Sequence, residues 1–277
     1  MSSRNWQWFR RISGGDKPLP YSLNSDLRGS RMETSQYVHI ENKGQAMPDN
    51  IKQPLIQARG LSKSYRMGAS EVIGLNNIEL NLSAGELVVL KGNSGSGKST
   101  LLALLAGLDQ PTAGELIVAE QDLKEATPKQ LTQYRREIVG VIFQSFNLLP
   151  TLTVLENVSL PALLAGHRHP MVKAKALQLL ASLDLTPRLH HLPAQLSGGE
   201  MQRTAIARAL INDPAIILAD EPTGNLDSHN GKGVIELLGS LNRRLGTTVI
   251  IATHSNLADP IATTSIYLTD GAITAWS

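Results

Sequence analysis

An α/β fold built around a nucleotide-binding crevice is predicted by three features of the sequence. Apolar runs typical of buried strands alternate with segments of helical periodicity. A glycine- and serine-rich loop joins the apolar run 87–90 to a helix beginning near Lys98. A later apolar run, 215–219, ends in two carboxylates, Asp220 and Glu221. Because the carboxyl ends of parallel strands line a ligand crevice in such sheets, the loop and the carboxylates are expected to face one ligand.

Composition narrows the classes of protein. The chain has 277 residues, 42% hydrophobic and 18% charged, enough for one large or two small domains with ample cores. Its 26 basic and 24 acidic residues nearly balance, so no nucleic-acid partner is expected. Cysteine is absent, which excludes disulfides and thiolate metal sites. No apolar run approaches the roughly 18 residues that span a bilayer, so any membrane role is expected to act through a partner.

The first fifty residues differ from the rest. Trp6, Trp8 and Phe9 stand among arginines, and a polar stretch rich in Gly, Ser, Asn and Pro follows. The start lacks the apolar core of a signal peptide, so residues 1–50 are predicted to be a disordered tail and 51–277 the folded domain. Met47 is a candidate start of a shorter product.

The elements around the loop follow from short signals. Strands are predicted at 55–65, ending in a turn, and at 78–82, 87–90, 114–118 and 139–143. Thr127 followed by Pro128 predicts the start of a helix that runs to Glu137. Gln144 stands at the end of the last of these strands.

A mainly helical insertion is predicted next, with helices at 153–165 and 171–183. Four histidines near its ends lack the spacing and supporting carboxylate of a metal site and are expected in surface loops: His167, His169, His190 and His191.

The loop from Gly92 to Thr100 has the residues that phosphate binding needs. Its glycines let backbone N–H groups surround phosphate oxygens, and the helix that follows adds the positive end of its dipole. Lys98 is predicted to reach the β- and γ-phosphates, and the Ser99 hydroxyl to bind Mg²⁺. A flexible Gly/Ser loop is the alternative, but the strand before it and the helix after it favour nucleotide binding.

A second helix start is predicted to bind phosphate. Ser197 is placed to cap a helix, and Gly198 and Gly199 leave its first N–H groups open to an anion. Ser-Gly-Gly is also a common way to begin a helix, so this cluster is weak evidence alone.

The carboxylates that end run 215–219 are predicted to divide the chemistry, with Asp220 holding the metal and Glu221 the attacking water. A helix is predicted at 228–245, with Gly246 as its stop, and a buried strand at 247–252. His254 follows that strand, in the predicted crevice. Two short strands, 265–268 and 272–276, complete the chain.

Together, in this order, these motifs resemble the ATP-binding cassette (ABC) ATPases from about Leu55 onward. The resemblance implies a P-loop NTPase cassette with a RecA-like core, an N-terminal antiparallel β subdomain and a helical subdomain at about 145–212 that carries the signature motif. Catalytic roles are expected for Glu221, His254 and Gln144, and Mg²⁺ binding for Ser99, Gln144 and Asp220. ATP contacts are expected from Tyr65, Gly92, Asn93, Ser94, Gly95, Ser96, Gly97, Lys98, Ser99, Thr100, Ser197, Gly198, Gly199, Glu200 and Asp227.

Four stretches resemble the lipoprotein-releasing and macrolide-exporting group of these ATPases: 143–153, 156–158, 192–195 before the signature and 219–227 after it. By this resemblance, Gly92–Ser99 is the Walker A loop, Leu196–Glu200 is the signature, and Gln144 is the glutamine of the Q-loop. The resemblance implies a head-to-tail homodimer sandwiching two ATP molecules, each between one chain's Walker A loop and the other's signature. It also implies that the ATPase lies at the cytoplasmic face of the inner membrane, bound to a separate integral membrane permease with a large extracytoplasmic domain. The ATPase is then expected to power export or extraction of lipoprotein, lipid, drug or peptide. Ser255 departs from the group, which usually has Asp after the histidine, and Met201 replaces a common Gln.

The alternative is a non-transport ABC ATPase that acts on nucleic acid or on a soluble complex. Its DNA-repair members carry long coiled coils or zinc-binding cysteines, and neither heptads nor cysteines occur here. The ribosomal members carry two cassettes, whereas this sequence has one Walker A and one signature. GTPases and small kinases do not account for the Ser197 cluster.

Overall fold

The computed structural model describes residues 54–68 and 70–277. The predicted tail, 1–50, and the candidate start at Met47 lie outside the described residues.

A four-stranded antiparallel sheet forms from the early strands, in the order β2-β1-β4-β5. Its strands are β1 (Ile56–Met67), β2 (Ser70–Leu82), β4 (Ala113–Val118) and β5 (Gln121–Asp122). The predicted strand 55–65 continues to Met67 before its turn, and the prediction missed the first half of β2, where Val72 and Ile73 are exposed. Pairing between Tyr65 and Val72 holds both segments extended where local pattern gives no signal.

A six-stranded sheet forms the core of the nucleotide-binding half, in the order β10-β9-β3-β8-β7-β6. Neighbouring strands from β9 to β6 run parallel, and β10 pairs antiparallel with β9. The central strand β8 is buried along its whole length, as its β-branched sequence predicts. The strands are β3 (Leu87–Lys91), β6 (Val139–Ile142), β7 (Ile216–Asp220), β8 (Thr248–Ala252), β9 (Thr264–Thr269) and β10 (Ala272–Trp276).

The predicted helices are confirmed. They are α1 (Lys98–Leu105), α2 (Pro128–Glu137), α3 (Val154–Leu164), α4 (His169–Ser182), α5 (Gly198–Leu210) and α6 (Ser228–Leu245). Thr127 and Ser197 cap α2 and α5 through reciprocal capping boxes, and Gly246 ends α6 in the left-handed region, with φ 68°.

The helical insertion is a layer in which α3 packs against both α4 and α5. Helix α5 also packs against β6, so the insertion is joined to the parallel sheet. Among the helices of residues 54–68 and 70–277, none is both long and apolar enough to cross a bilayer.

Candidate functional site

The Walker A loop closes tightly between β3 and α1. Gly92 has φ 148°, and a Cβ there would lie 2.3 Å from the Leu268 backbone oxygen. Gly97, the N-cap of α1, has φ 102°, and a Cβ there would lie 2.7 Å from the Gly74 oxygen. Only glycine fits either position, so the curl of the loop depends on these two residues.

Lys98 is buried beneath this loop, with 7% of its surface exposed. Its ammonium group donates to the backbone oxygens of Gly92, at 2.8 Å, and Asn93, at 2.9 Å. These bonds hold a positive charge where the loop's N–H groups converge, which is the arrangement that binds phosphate.

Ser99 and Asp220 meet at the end of the parallel sheet, where the serine hydroxyl donates to the Asp220 carboxylate at 3.1 Å. Burial raises the pKa of Asp220, and so does the neighbouring charge of Glu221. Two adjacent carboxylates and a hydroxyl are hard oxygen donors, so the residues present fit Mg²⁺. In the described part of the chain, no group of three or more His, Cys, Asp or Glu could hold a metal.

Glu221 and His254 pair across β7 and β8. The His254 ring nitrogen Nδ1 lies 2.9 Å from the Glu221 carboxylate, which also accepts from the His254 backbone N–H and the Thr253 hydroxyl. The pairing follows from register, because Asp220 lies opposite Ala252. Glu221 has φ 45°, a strained conformation for a residue with a side chain, held by its N–H bond to the Ala252 oxygen.

Gln144 follows β6, at the same edge of the sheet. Its amide packs against Gly224, where a Cβ would lie 2.8 Å from Nε2, and its backbone oxygen accepts from Asn225. The Q-loop therefore contacts the loop that leads to Asp227. Asp227 caps α6 by accepting the N–H groups of His229 and Asn230.

Arg208 is a residue that sequence analysis missed. It lies on α5 and donates to the backbone oxygens of Phe146 and Asn147 in the Q-loop. Both acceptors have positive φ, 60° and 48°, so the arginine stabilises an otherwise strained loop. Burial lowers the pKa of Arg208. The contact spans about 60 residues of sequence and has no local signature.

Tyr65 lies beside the start of α1. A Cβ on Gly74 would lie 2.8 Å from the tyrosine ring and 3.2 Å from Thr100, so ring and helix flank the same small space. The Lys63 ammonium stands 5.0 Å from the ring centroid and is held by Asp109 at 2.6 Å. A fixed aromatic face next to the phosphate loop suits stacking on a base.

The start of α5 is the second helix start that the sequence predicts to bind phosphate. Ser197 is exposed, and its hydroxyl accepts the N–H of Glu200. The Glu200 carboxylate accepts in return from the Ser197 N–H. A Cβ on Gly199 would lie 2.7 Å from the Asn230 amide oxygen, so this glycine lets α5 approach α6.

The structure thus brings two groups of predicted residues together. Ser99 meets Asp220, and Glu221 meets His254, all at one edge of the parallel sheet. Throughout residues 54–68 and 70–277, no hydrogen bond or ion pair joins 197–200 to 92–100. The signature therefore has no direct bonding contact with the Walker A loop of its own chain.

Comparison with known proteins shows which family has a sequence and fold similar to those of this chain. A family profile described as ABC transporter matches residues 75–224. The ATP-binding protein LolD of the lipoprotein-releasing system of Idiomarina loihiensis is 46% identical over 200 residues, covering 72% of this chain and 88% of LolD. The macrolide export ATP-binding/permease protein MacB of Sodalis glossinidius is 46% identical over 222 residues, covering 80% of this chain but only 34% of MacB.

Among solved structures, the dimeric post-hydrolysis state of the ATP-binding cassette MJ0796, bound to ADP and Pi, superposes with a TM-score of 0.75. It is 40% identical and covers 80% of this chain and 97% of its own. The phosphate loop, the paired carboxylates, the histidine beyond β8 and these similarities agree. The chain belongs to the ABC transporter ATP-binding family and is an ATP-hydrolysing cassette of the LolD and MacB group.

Proposed function

We propose that this ATPase drives a separate membrane permease through a head-to-tail pair of cassettes. The single observation that carries the proposal is the division of its site. One chain by itself brings together the phosphate-binding and carboxylate residues Lys98, Ser99, Asp220 and Glu221. The start of α5 presents a second anion-binding surface that makes no bond to them.

Within one chain, the Walker A loop from Gly92 to Thr100 holds the phosphates and Tyr65 stacks on adenine. Ser99 and Asp220 hold Mg²⁺, with Gln144 added when the Q-loop moves toward the nucleotide. The ion neutralises charge on the phosphates and helps align them for in-line attack. Support for the first two ligands is their 3.1 Å contact, and for the third the position of Gln144 beside Gly224.

Glu221 orients and deprotonates the attacking water, and His254 holds the carboxylate and the γ-phosphate in place. Support comes from the 2.9 Å contact between the histidine ring and the carboxylate. The ring is 72% exposed, so it can also reach a ligand in the crevice.

The second half of each site is the signature of another copy. Ser197, Gly198, Gly199 and Glu200 of the partner chain face the γ-phosphate, and Asp227 lies at the edge of the contact. A phosphate bridging two helix starts holds the dimer closed, and its loss on hydrolysis opens it. The dimeric state of the MJ0796 cassette with ADP and Pi is a precedent.

The permease docks on the helical subdomain, at the cytoplasmic face of the membrane. Two exposed leucines support this site, Leu149 and Leu192, because the bond from the Val154 N–H to the His191 oxygen brings their loops together. The LolD and MacB names describe lipoprotein release and macrolide export, so export or extraction from the envelope is proposed here. A large extracytoplasmic domain on the permease is part of the proposal.

The test uses Glu221→Gln, in which the amide cannot deprotonate water. The tagged variant is incubated with ATP and Mg²⁺ in detergent-solubilised membranes, and Lys98→Ala is the matched control. Recovery of a polytopic partner with a large external domain, from Glu221→Gln alone, supports the proposal. ATP-dependent recovery of only soluble proteins or nucleic acid would replace it with the non-transport alternative.

A further inference from the structure

The signature of this chain ends in a carboxylate whose oxygens are both engaged. Glu200 Oε2 accepts from the N–H and the hydroxyl of Ser197, at 2.8 and 2.9 Å. Glu200 Oε1 accepts from Arg188 Nε at 2.7 Å. The carboxylate of Glu200 is thus held by Ser197 and Arg188.

The negative charge of Glu200 opposes phosphate binding at the start of α5. It occupies the first turn of α5, whose start is the surface proposed to meet a γ-phosphate. A carboxylate there offsets the positive end of the helix dipole and repels phosphate. The bond from Arg188 lowers the pKa of Glu200 to about 2, so the carboxylate stays ionised throughout the physiological range. A neutral amide would complete the same capping box without the charge.

Arg188 supplies the opposite charge from a fixed position. It ends a short 3-10 turn, Thr186–Arg188, outside the signature helix. Its backbone N–H donates to the Leu185 oxygen, and its own oxygen accepts the His191 N–H. The next residue, Leu189, accepts from the Leu155 N–H of α3. The guanidinium is therefore presented to Glu200 by a turn anchored to the helical layer.

We propose that Arg188 is a positioning residue of the signature: by neutralising and orienting Glu200, it keeps the start of α5 able to accept the triphosphate of an ATP bound to a second copy of this chain. The inference rests on the proposed head-to-tail dimer. It assigns to Arg188 an effect on dimerisation that its place outside the nucleotide contacts would not indicate.

The experiment is a double-mutant cycle. Arg188→Gln, which removes the charge but keeps a donor, is made in the wild-type chain and in Glu200→Gln. In the wild-type chain it is expected to raise the KM for ATP hydrolysis about tenfold, the order of an uncompensated charge near phosphate. In Glu200→Gln the same change is expected to alter KM less than about twofold, because no charge remains to neutralise. Arg188→Lys keeps the charge and is expected to lose less than Arg188→Gln.

Two further readouts separate charge from folding. ATP-dependent dimerisation, measured by light scattering with Glu221→Gln added to every variant, is expected to follow the KM values. ATP affinity of the isolated chain is expected to change little, since Arg188 does not touch the Walker A loop.

Equal losses with and without Glu200→Gln would overturn the inference, because Arg188 would then only shape its turn. No loss in Arg188→Gln would overturn it as well. If Glu221→Gln alone never dimerises with ATP, the head-to-tail proposal fails and the inference falls with it. If Glu221→Gln dimerises normally with ATP but Arg188→Gln causes equal losses with and without Glu200→Gln, the inference about Arg188 fails and the head-to-tail proposal stands.

Discussion

The two anion-binding helix starts of this chain are built in different ways. At the start of α1, Lys98 is buried and bonded to its own loop, and Ser99 is bonded to Asp220 from a distant strand. At the start of α5, Ser197 is exposed, and its hydroxyl and N–H bond to Glu200 within the same turn. The first is tied into the core of the molecule, whereas the second is tied mainly to itself.

This difference in construction indicates that the two helix starts have different roles in ATP binding and hydrolysis. The Walker A start has the charge, the curl and the metal ligands to bind ATP in a single chain. The signature start has a helix dipole and N–H groups, and its neighbouring Arg188 is engaged with Glu200. One start is expected to determine affinity for ATP, and the other to determine whether two chains close and hydrolyse it.

The largest effect is expected from a substitution that removes the charge of the Walker A loop. Lys98→Ala removes the buried ammonium, so ATP affinity of the single chain is expected to fall more than about 100-fold, as for a desolvated charge pair. Isothermal titration with ATP and Mg²⁺ measures this change. Affinity near that of the wild type would remove Lys98 from the phosphate site.

The next largest effect is expected from a substitution at the start of the signature helix. Ser197→Arg places a bulky side chain at the cap of α5, so hydrolysis and ATP-dependent dimerisation are expected to be lost. Affinity of the single chain for ATP is expected to stay within about twofold, since 197–200 do not bond to the Walker A loop. A parallel titration and a steady-state ATPase assay measure both quantities. An equal loss of affinity in both variants would show that the two starts are not independent.

A smaller effect is expected from the contact between the signature helix and the Q-loop. Arg208 joins the signature helix to the Q-loop through two backbone oxygens. Arg208→Gln cannot satisfy both, and the free energy of unfolding is expected to fall by about 2–3 kcal/mol, as for lost bonds to a charged group. Urea unfolding measures this, with exposed Arg243→Gln as the comparison. A fall no larger than that of Arg243→Gln would show that the bonds from Arg208 contribute nothing.

The smallest effect is a pH dependence confined to the signature. The pKa of Glu200 is lowered from 4.5 to about 2, first by the bond from Arg188. A lowered pKa stabilises the fold fully above pH 4.5, and this stabilisation is lost as the pH falls toward 2. The difference in unfolding free energy between the wild type and Glu200→Gln is therefore expected to shrink from about pH 6 to about pH 3. A constant difference would contradict the ion pair.

Local chemistry was enough to predict much of the fold. Thr127 with Pro128, Ser197 with Glu200, and Gly246 mark helix ends through contacts within a few residues, and the structure has all three. The meeting of Ser99 with Asp220 was also accessible, because both follow strands of the same parallel sheet.

What sequence reasoning missed is long-range or lacks periodicity. The contacts of Arg208 with the Q-loop and of Lys63 with Asp109 depend on how distant segments pack. Arg188 is nearer to Glu200, yet no helical spacing links them, because a turn and a loop intervene. The first half of β2 lies on an edge strand with Val72 and Ile73 exposed, so pairing rather than burial defines the structure there.

The most direct test of the division between the two starts is cross-linking in this cysteine-free chain. Ser94→Cys and Gly198→Cys are introduced separately into Glu221→Gln, mixed, and oxidised with and without ATP and Mg²⁺. The account predicts disulfide-linked dimers that form with ATP, contain one chain of each kind, and are absent when either variant is oxidised alone. Cross-links between two Ser94→Cys chains, or none in the ATP-bound mixture, would contradict it.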